Sequence, residues 1–203
     1  MHILSVRHSF EADHSSSTYE FFALDKLTPE QRAAVQELTG EAPLRHLSFH
    51  YMGDWSNIPS DWTERLLTLG YDVMVSESYD WWAVHLSLPH DPGLAERLQQ
   101  YECESDGNGF DLRVVGERMI LYFGMQLDYS AVYNAFGEDV FEGLADLFEA
   151  VREELLAGDL SAVRATYQTY GGYGEAEPEP VQMSTSEPLS KSGEKLLNIM
   201  ENY

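Results

Sequence analysis

Cysteine and long apolar runs are what this sequence lacks most clearly. Its 203 residues contain one cysteine, Cys103, so no internal disulfide forms and nothing indicates an oxidising compartment. No apolar run approaches the roughly 20 residues that cross a bilayer. Ser5, Ser9 and Glu11 interrupt any apolar core of an N-terminal secretion signal. We therefore expect a cytoplasmic protein that does not enter a membrane.

Positive charge is also scarce. Twelve lysines and arginines stand against 35 aspartates and glutamates, which gives a formal net charge of −23 at pH 7. No two basic residues are adjacent, so the sequence contains no basic patch for phosphate backbones or anionic lipids. We expect no direct binding to nucleic acid or membrane. A basic protein partner, a salty habitat or solubility alone each fits the charge.

Recognisable catalytic motifs are missing as well. Asp13, His14 and Ser15 are adjacent in the stretch ADHSSST, but the three groups of a hydrolytic triad converge from distant parts of a chain. No GxSxG elbow, phosphate-binding loop or GxGxxG motif is present. We interpret ADHSSST as a hairpin loop whose side chains bond to local backbone. The sequence thus predicts no catalytic residue and no cofactor.

Histidines are the remaining candidates for chemistry. His46 and His50 lie on one face of a predicted strand, roughly 13 Å apart, which is too far for one shared metal ion. We expect each to be a solvated or hydrogen-bonded strand histidine. The alternative is a small metal- or histidine-dependent hydrolase or nuclease, in which His8 and His14 converge with His46 and His50 from neighbouring strands.

Hydrophobic periodicity predicts an α+β fold. Strands and helices are interspersed along the first 130 residues, and the strands often pair as hairpins, beginning with segments at 2–10 and 18–24. This order favours a mostly antiparallel sheet with helices on one face, of the ferredoxin-like kind. Thr28 and Gln31 predict a capping box at the start of the first helix, and Gly40 predicts its end.

The second half of the chain changes to helical spacing and then to a segment rich in glycine, proline and glutamate. We therefore predict an α+β sheet domain, a helical hairpin packed on it, a flexible linker and a short amphipathic helix. These cover residues 1–130, 131–170, 171–189 and 190–203.

Two groups of apolar residues are candidates for binding a partner. Trp55 in a polar loop and Trp81 on the less apolar face of a strand predict an aromatic patch. The second group follows the spacing of one helix face at the end of the predicted linker. That helix packs either on its own domain or on another subunit or partner. Its face consists of Leu196, Ile199, Met200 and Tyr203.

The chain also resembles a known family in five segments, which are, in order, TYEFFALDKLTPEQ, FHYMGDWSN, LGYDVMV, WWAVHLSLP and EELLAGDLSAV. The family is an uncharacterised group of bacterial proteins that open with a strand of the YEF-x-A-[IL]-D type. The similarity spans roughly residues 18–165. It implies one continuous fold and supplies neither an established activity nor catalytic residues.

These observations favour a non-enzymatic, acidic interaction module. We predict that it binds a protein partner, or a second copy of itself, through the aromatic patch and the C-terminal arm. The hydrolase described above is one alternative. The other is an acidic surface that imitates DNA and occupies a nucleic-acid-binding protein, which predicts strongly salt-sensitive binding to a basic partner.

Overall fold

A computed structural model of the chain describes residues 16–42, 45–52, 58–78, 81–171 and 188–201. These residues form seven strands and seven helices. The strands are β1 (Ser16–Phe22), β2 (His46–Met52), β3 (Val73–Ser78), β4 (Trp81–Pro89), β5 (Cys103–Ser105), β6 (Asn108–Val115) and β7 (Arg118–Gln126). The helices are α1 (Pro29–Thr39), α2 (Trp62–Leu69), α3 (Pro92–Gln99), α4 (Tyr129–Phe136), α5 (Val140–Leu156), α6 (Ser161–Tyr170) and α7 (Lys191–Glu201).

The strands of the described residues join one sheet in the order β2-β1-β3-β4-β7-β6-β5. Every neighbouring pair is antiparallel. The predicted α+β class with an antiparallel sheet is therefore confirmed. The predicted strand at residues 2–10 lies outside the described residues.

Local signals in the sequence fix the first helix. The Thr28 hydroxyl accepts a hydrogen bond from the Gln31 amide at 3.2 Å, and the Gln31 side chain accepts one from the Thr28 amide at 2.8 Å. Gly40 ends the helix in the left-handed conformation, with φ at 76°. The capping box and the terminating glycine therefore place α1 where the sequence predicts it.

Helices cover both faces of the sheet in the described part of the chain, so the prediction of helices on one face is wrong. The cause is visible in β3, which is apolar on both of its faces. Val73 and Val75 belong to a core shared with α3, α5, α6 and α7, whereas Met74 belongs to a second core with α1 and α2. A strand with two buried faces needs a layer of helices on each.

The C-terminal helix α7 packs on its own chain. It contacts α4, α5 and α6, and its most extensive contact is with α6. Leu196, Ile199 and Met200 are 0%, 4% and 3% exposed and belong to the larger core. Ser161 at the start of α6 fixes the approach to α7, because its hydroxyl accepts a hydrogen bond from the Ser190 amide at 3.0 Å. The apolar face of α7 is thus part of the fold.

Candidate functional site

A cleft of about 600 Å³ lies between α2 and the face of the sheet formed by β4, β7, β6 and β5. Its volume is in the range of pockets that hold small ligands or side chains of a partner. The side chains that give it chemical character are His85, Tyr122, Glu64, Glu104, Asp111 and Arg113.

Strand register brings three of these side chains together. Along β4, Trp82 and Val84 point into the larger core, so the alternation of a strand turns His85 to the opposite face, towards the cleft. His85 lies opposite Tyr122 on β7, and Tyr122 lies opposite Asp111 on β6. Three adjacent strands therefore present an imidazole, a phenol and a carboxylate in one row.

A tight turn between β5 and β6 holds one end of this row. The Tyr122 hydroxyl donates a hydrogen bond to the Gly107 carbonyl at 2.7 Å. A Cβ on Gly124 would lie 2.2 Å from that same carbonyl oxygen, so the close approach of β7 to the turn requires glycine at this position. A Cβ on Gly107 would lie 3.5 Å from the Trp81 ring. The turn thus holds Tyr122 in the cleft and Trp81 beside it.

His85 is a neutral imidazole in the cleft wall. Its ring centroid lies 5.0 Å from that of Tyr122, at an interplanar angle of 59°. Burial, reinforced by the nearby Arg113 cation and opposed by Asp111, lowers the pKa of His85 to about 4. Its Nδ1 is buried and has no hydrogen-bond partner among the described residues. Such an atom costs about 1–3 kcal/mol and commonly marks a place where a ligand or water bonds.

Acidification is expected to destabilise the protein through His85. The pKa of His85 is about 4 in the folded state against 6.5 for the free group, so the unfolded state gains a proton first. The free energy of unfolding therefore decreases as the pH falls from about 6.5 to about 4, and it changes no further through His85 below that. At ~1.4 kcal/mol for each pH unit, the total loss is about 3 kcal/mol. Urea denaturation across this pH range measures the loss.

A His85→Gln variant removes the titrating group and should show a shallower dependence of stability on pH over the same interval. The exposed His90 provides the control, because a His90→Gln variant keeps the slope of the wild-type protein. Equal slopes for His85→Gln and the wild type would show that His85 does not titrate as its burial implies.

Carboxylates dominate the rest of the cleft. Arg113 on β6 donates from Nε to Asp111 Oδ2 at 3.3 Å and from its NH1 group to Glu64 Oε1 on α2 at 3.4 Å. Glu102 and Glu104 also line the cleft. Burial, and then the Asp111 charge, raise the pKa of Glu102. The described lining of the cleft is therefore acidic, and the Arg113 guanidinium spans two of its carboxylates.

Two candidate nucleophiles in the cleft are poorly ionised. Burial raises the pKa of the Cys103 thiol and that of the Tyr122 hydroxyl, so neither group ionises readily at neutral pH. Within the described ranges, no three His, Cys, Asp or Glu side chains are arranged to hold a metal ion. The cleft instead offers carboxylates and aromatic faces, which are groups that bind cations.

The structure places the predicted binding residues in three different situations. Trp81 is 39% exposed beside the cleft, whereas Trp82 next to it is 2% exposed. Trp55 and Tyr203 lie outside the described residues. The other predicted residues of the C-terminal arm are buried in the fold and present no free surface to a partner. They are Leu196, Ile199 and Met200.

The strand histidines that the sequence singled out have separate partners. His46 Nε2 is 2.9 Å from Glu20 Oε2, and this hydrogen bond raises the pKa of His46. His50 Nδ1 is 2.9 Å from the Thr18 hydroxyl. Both lie on β2, at the far end of the sheet from the cleft. His8 and His14 are outside the described residues, so their convergence with His46 and His50 stays a prediction.

Sequence reasoning missed most of the cleft. The alternation in WWAVHLSLP places His85 on the same strand face as Trp81, and this was the one available signal. Tyr122, Asp111 and Glu64 come from elements 37, 26 and 21 residues away from His85 along the chain. Only the pairing of β4 with β7, and of β7 with β6, brings them to it.

A second groove, of about 730 Å³, lies between α4 and α7. Two of its polar side chains, Asp128 and Lys195, already make contacts within the fold. Asp128 caps α4 by accepting hydrogen bonds from two backbone amides, and Lys195 Nζ lies 4.1 Å from the centroid of the Phe136 ring. The cleft beside His85 is therefore the stronger candidate for a functional site.

Comparisons with protein-family models, with curated proteins and with solved structures gave no match. Among the described helices, none has the length and apolar character needed to span a membrane. The cleft must therefore be judged by its own geometry.

Proposed function

We propose that this protein is a non-enzymatic binding module that holds a basic segment of a partner protein across the acidic cleft. The observation that carries the proposal is the exposed Trp81 ring beside a cleft rich in carboxylates. An aromatic anchor next to complementary charge is the usual composition of a binding hot spot.

The aromatic part of the surface supports binding to a protein. Trp81 exposes 39% of its surface, although the next residue along β4 is almost fully buried. A tryptophan ring buries a large apolar area on contact with a partner and loses little side-chain entropy. The ring lies against the turn at Gly107, since a Cβ there would be 3.5 Å from it.

The charge of the surface supports a basic partner. Glu64, Glu102, Glu104 and Asp111 line the cleft, and the whole chain carries a formal charge of −23. Such a field repels anionic ligands and speeds the encounter with cationic ones. A segment rich in arginine or lysine is therefore the partner chemistry that this surface favours.

The binding surface in this proposal excludes the C-terminal arm, because the described apolar residues of α7 are buried in the chain's own core. A cytoplasmic location, self-association, a ferredoxin-like relationship of the sheet and a hairpin formed by residues 131–170 stay predictions. The DNA-mimic alternative becomes a distinguishable outcome of the binding experiment. The hydrolase alternative stays a prediction, because His8 and His14 lie outside the described residues.

Selection from a phage-displayed library of random peptides against the full chain tests the proposal. We expect enrichment of peptides that contain basic residues. Isothermal titration calorimetry with a selected peptide should then show that Trp81→Ala weakens binding about tenfold or more, because the aromatic anchor is lost.

Tyr133 on α4 is the matched control, because it is 42% exposed and lies outside the cleft. A Tyr133→Ala variant should bind the peptide as the wild-type protein does. Equal binding by wild-type and Trp81→Ala proteins contradicts the proposed surface. If the peptide binds both proteins equally and its binding is lost in moderate salt, a diffuse acidic surface of the DNA-mimic type becomes the better explanation.

A further inference from the structure

The cleft contains a distinctive arrangement of charge. Glu64 on α2 and Asp111 on β6 belong to separate elements, yet the guanidinium of Arg113 reaches both. The two N···O distances are 3.4 and 3.3 Å, near the long limit of a hydrogen bond, and the Arg113 side chain is 70% exposed. Arg113 therefore spans the pair without fitting it tightly.

The cleft keeps an excess of negative charge after Arg113 is counted. Glu102 and Glu104 line it in addition to Glu64 and Asp111, and Arg113 is the one cation among the described residues of its lining. Crowding is evident at Glu102, since burial and the Asp111 charge both raise its pKa. An additional cation would relieve this repulsion, whereas an anion would add to it.

Two aromatic rings form part of the cleft wall. The rings of His85 and Tyr122 have centroids 5.0 Å apart and are tilted by 59° to each other. Because burial keeps His85 neutral at pH 7, the imidazole does not repel a cation. The His85 side chain lines the cleft, and its buried Nδ1 has no hydrogen-bond partner among the described residues.

We infer that the cleft is a receptor for the guanidinium group of an arginine side chain, which displaces Arg113 from Glu64 and Asp111. The inference rests on the proposed function in one respect, namely that the arginine belongs to a partner protein. A guanidinium fits better than an ammonium group, because two carboxylates on separate elements match its planar fork and aromatic faces favour stacking. Arg113 acts as an internal occupant that the ligand replaces.

Nα-acetyl-arginine methylamide is the probe that tests the receptor, since it carries the side chain without charged termini. NMR titration of the full chain follows the amide signals of β6 and β7. The neutral citrulline analogue has almost the same shape, and we expect it to bind at least tenfold more weakly. The lysine analogue should fall between the two.

Variants of the two kinds of cleft residue sharpen the test. Asp111→Asn should weaken binding of the arginine probe about tenfold, because one charged acceptor is lost. Arg113→Gln should strengthen binding severalfold, because the internal competitor is removed. Glu96→Gln is the control, since Glu96 is an exposed carboxylate on α3, outside the cleft.

The outcomes separate the receptor from the proposed function. Three results would overturn the receptor. They are equal binding of the arginine and citrulline probes, weaker binding of the arginine probe by Arg113→Gln than by the wild type, and no binding of the arginine probe to the wild type or to Arg113→Gln. A Trp81-dependent peptide whose arginines can be replaced by lysine without loss keeps the proposed function and rejects the guanidinium receptor. An arginine probe that binds while no peptide does keeps the receptor and rejects the protein partner.

Discussion

Replacing Asp72 with asparagine is expected to lower the free energy of unfolding by about 3–5 kcal/mol. Asp72 is 8% exposed, and its Oδ1 lies 3.5 Å from a guanidinium nitrogen of Arg118 and 3.4 Å from one of Arg152. Its Oδ2 accepts a hydrogen bond from the Leu24 amide at 3.0 Å. Asparagine is almost the same size but has no charge, so Arg118 and Arg152 both lose a buried carboxylate partner, and among the described residues Arg152 keeps only the exposed Glu153 at 3.1 Å.

The loss should be large because Asp72 connects several elements. Arg152 comes from α5 and also donates from Nε to the Ser87 carbonyl on β4 at 3.2 Å. The Ser87 amide in turn donates to the Asp72 carbonyl at 2.8 Å. Leu24 follows β1, so one carboxylate joins two strands of the sheet to the helix layer. Removing its charge therefore affects contacts that form only when these elements are assembled.

Urea denaturation of Asp72→Asn and Asp61→Asn measures the effect against a matched control. Asp61 pairs with Arg65 at 3.0 Å, but both side chains are more than half exposed, at 59% and 56%. Exposed pairs of this kind contribute about 0–1 kcal/mol. Similar losses in the two variants would mean that Asp72 is no more than a surface ion pair. In high salt, the control effect should vanish and the Asp72 effect should remain.

The sequence predicts those parts of the fold that depend on neighbouring residues. The start and end of α1 follow from Thr28 and Gly40, because caps act within one helical turn. The three-residue strand β5 is too short to give a periodic signal. It becomes a strand because it pairs with β6.

The order of the strands is harder to predict, and the candidate site depends on it. β1 lies between β2 and β3, and β7 lies between β4 and β6. β6 and β7 are consecutive strands, but β1 and β3 are far apart in the chain, and so are β4 and β7. Alternation tells which residues share a face of one strand, but it does not tell which strand lies beside it. Trp81 was therefore a candidate from the sequence, whereas its neighbourhood of Tyr122 and Asp111 was not.

The same limit applies to α7. The spacing of Leu196, Ile199 and Met200 predicts an amphipathic helix, and such a helix forms in the described residues. An apolar helix face fits equally well on the chain's own core and on a partner, so spacing alone leaves both possibilities open. The packing of α7 on α6 and α5 is a property of the assembled tertiary structure.

Truncating Leu196 to alanine measures how strongly this helix is held. The side chain is 0% exposed in the core formed with α5 and α6, so Leu196→Ala should cost about 2–5 kcal/mol through lost burial and the cavity left behind. Leu156 is the control, because it is 45% exposed at the end of α5, and Leu156→Ala should cost less than about 1 kcal/mol. Urea denaturation gives both values.

Hydrogen exchange distinguishes global destabilisation from release of the helix. If α7 opens as a separate unit, the amides of residues 191–201 exchange faster in Leu196→Ala while those of the sheet keep their protection. If α7 unfolds only with the rest of the core, protection falls throughout the chain. An unchanged unfolding free energy together with unchanged protection of α7 would contradict the packing of Leu196 in its own core. It would also return the C-terminal arm to the list of partner-binding surfaces.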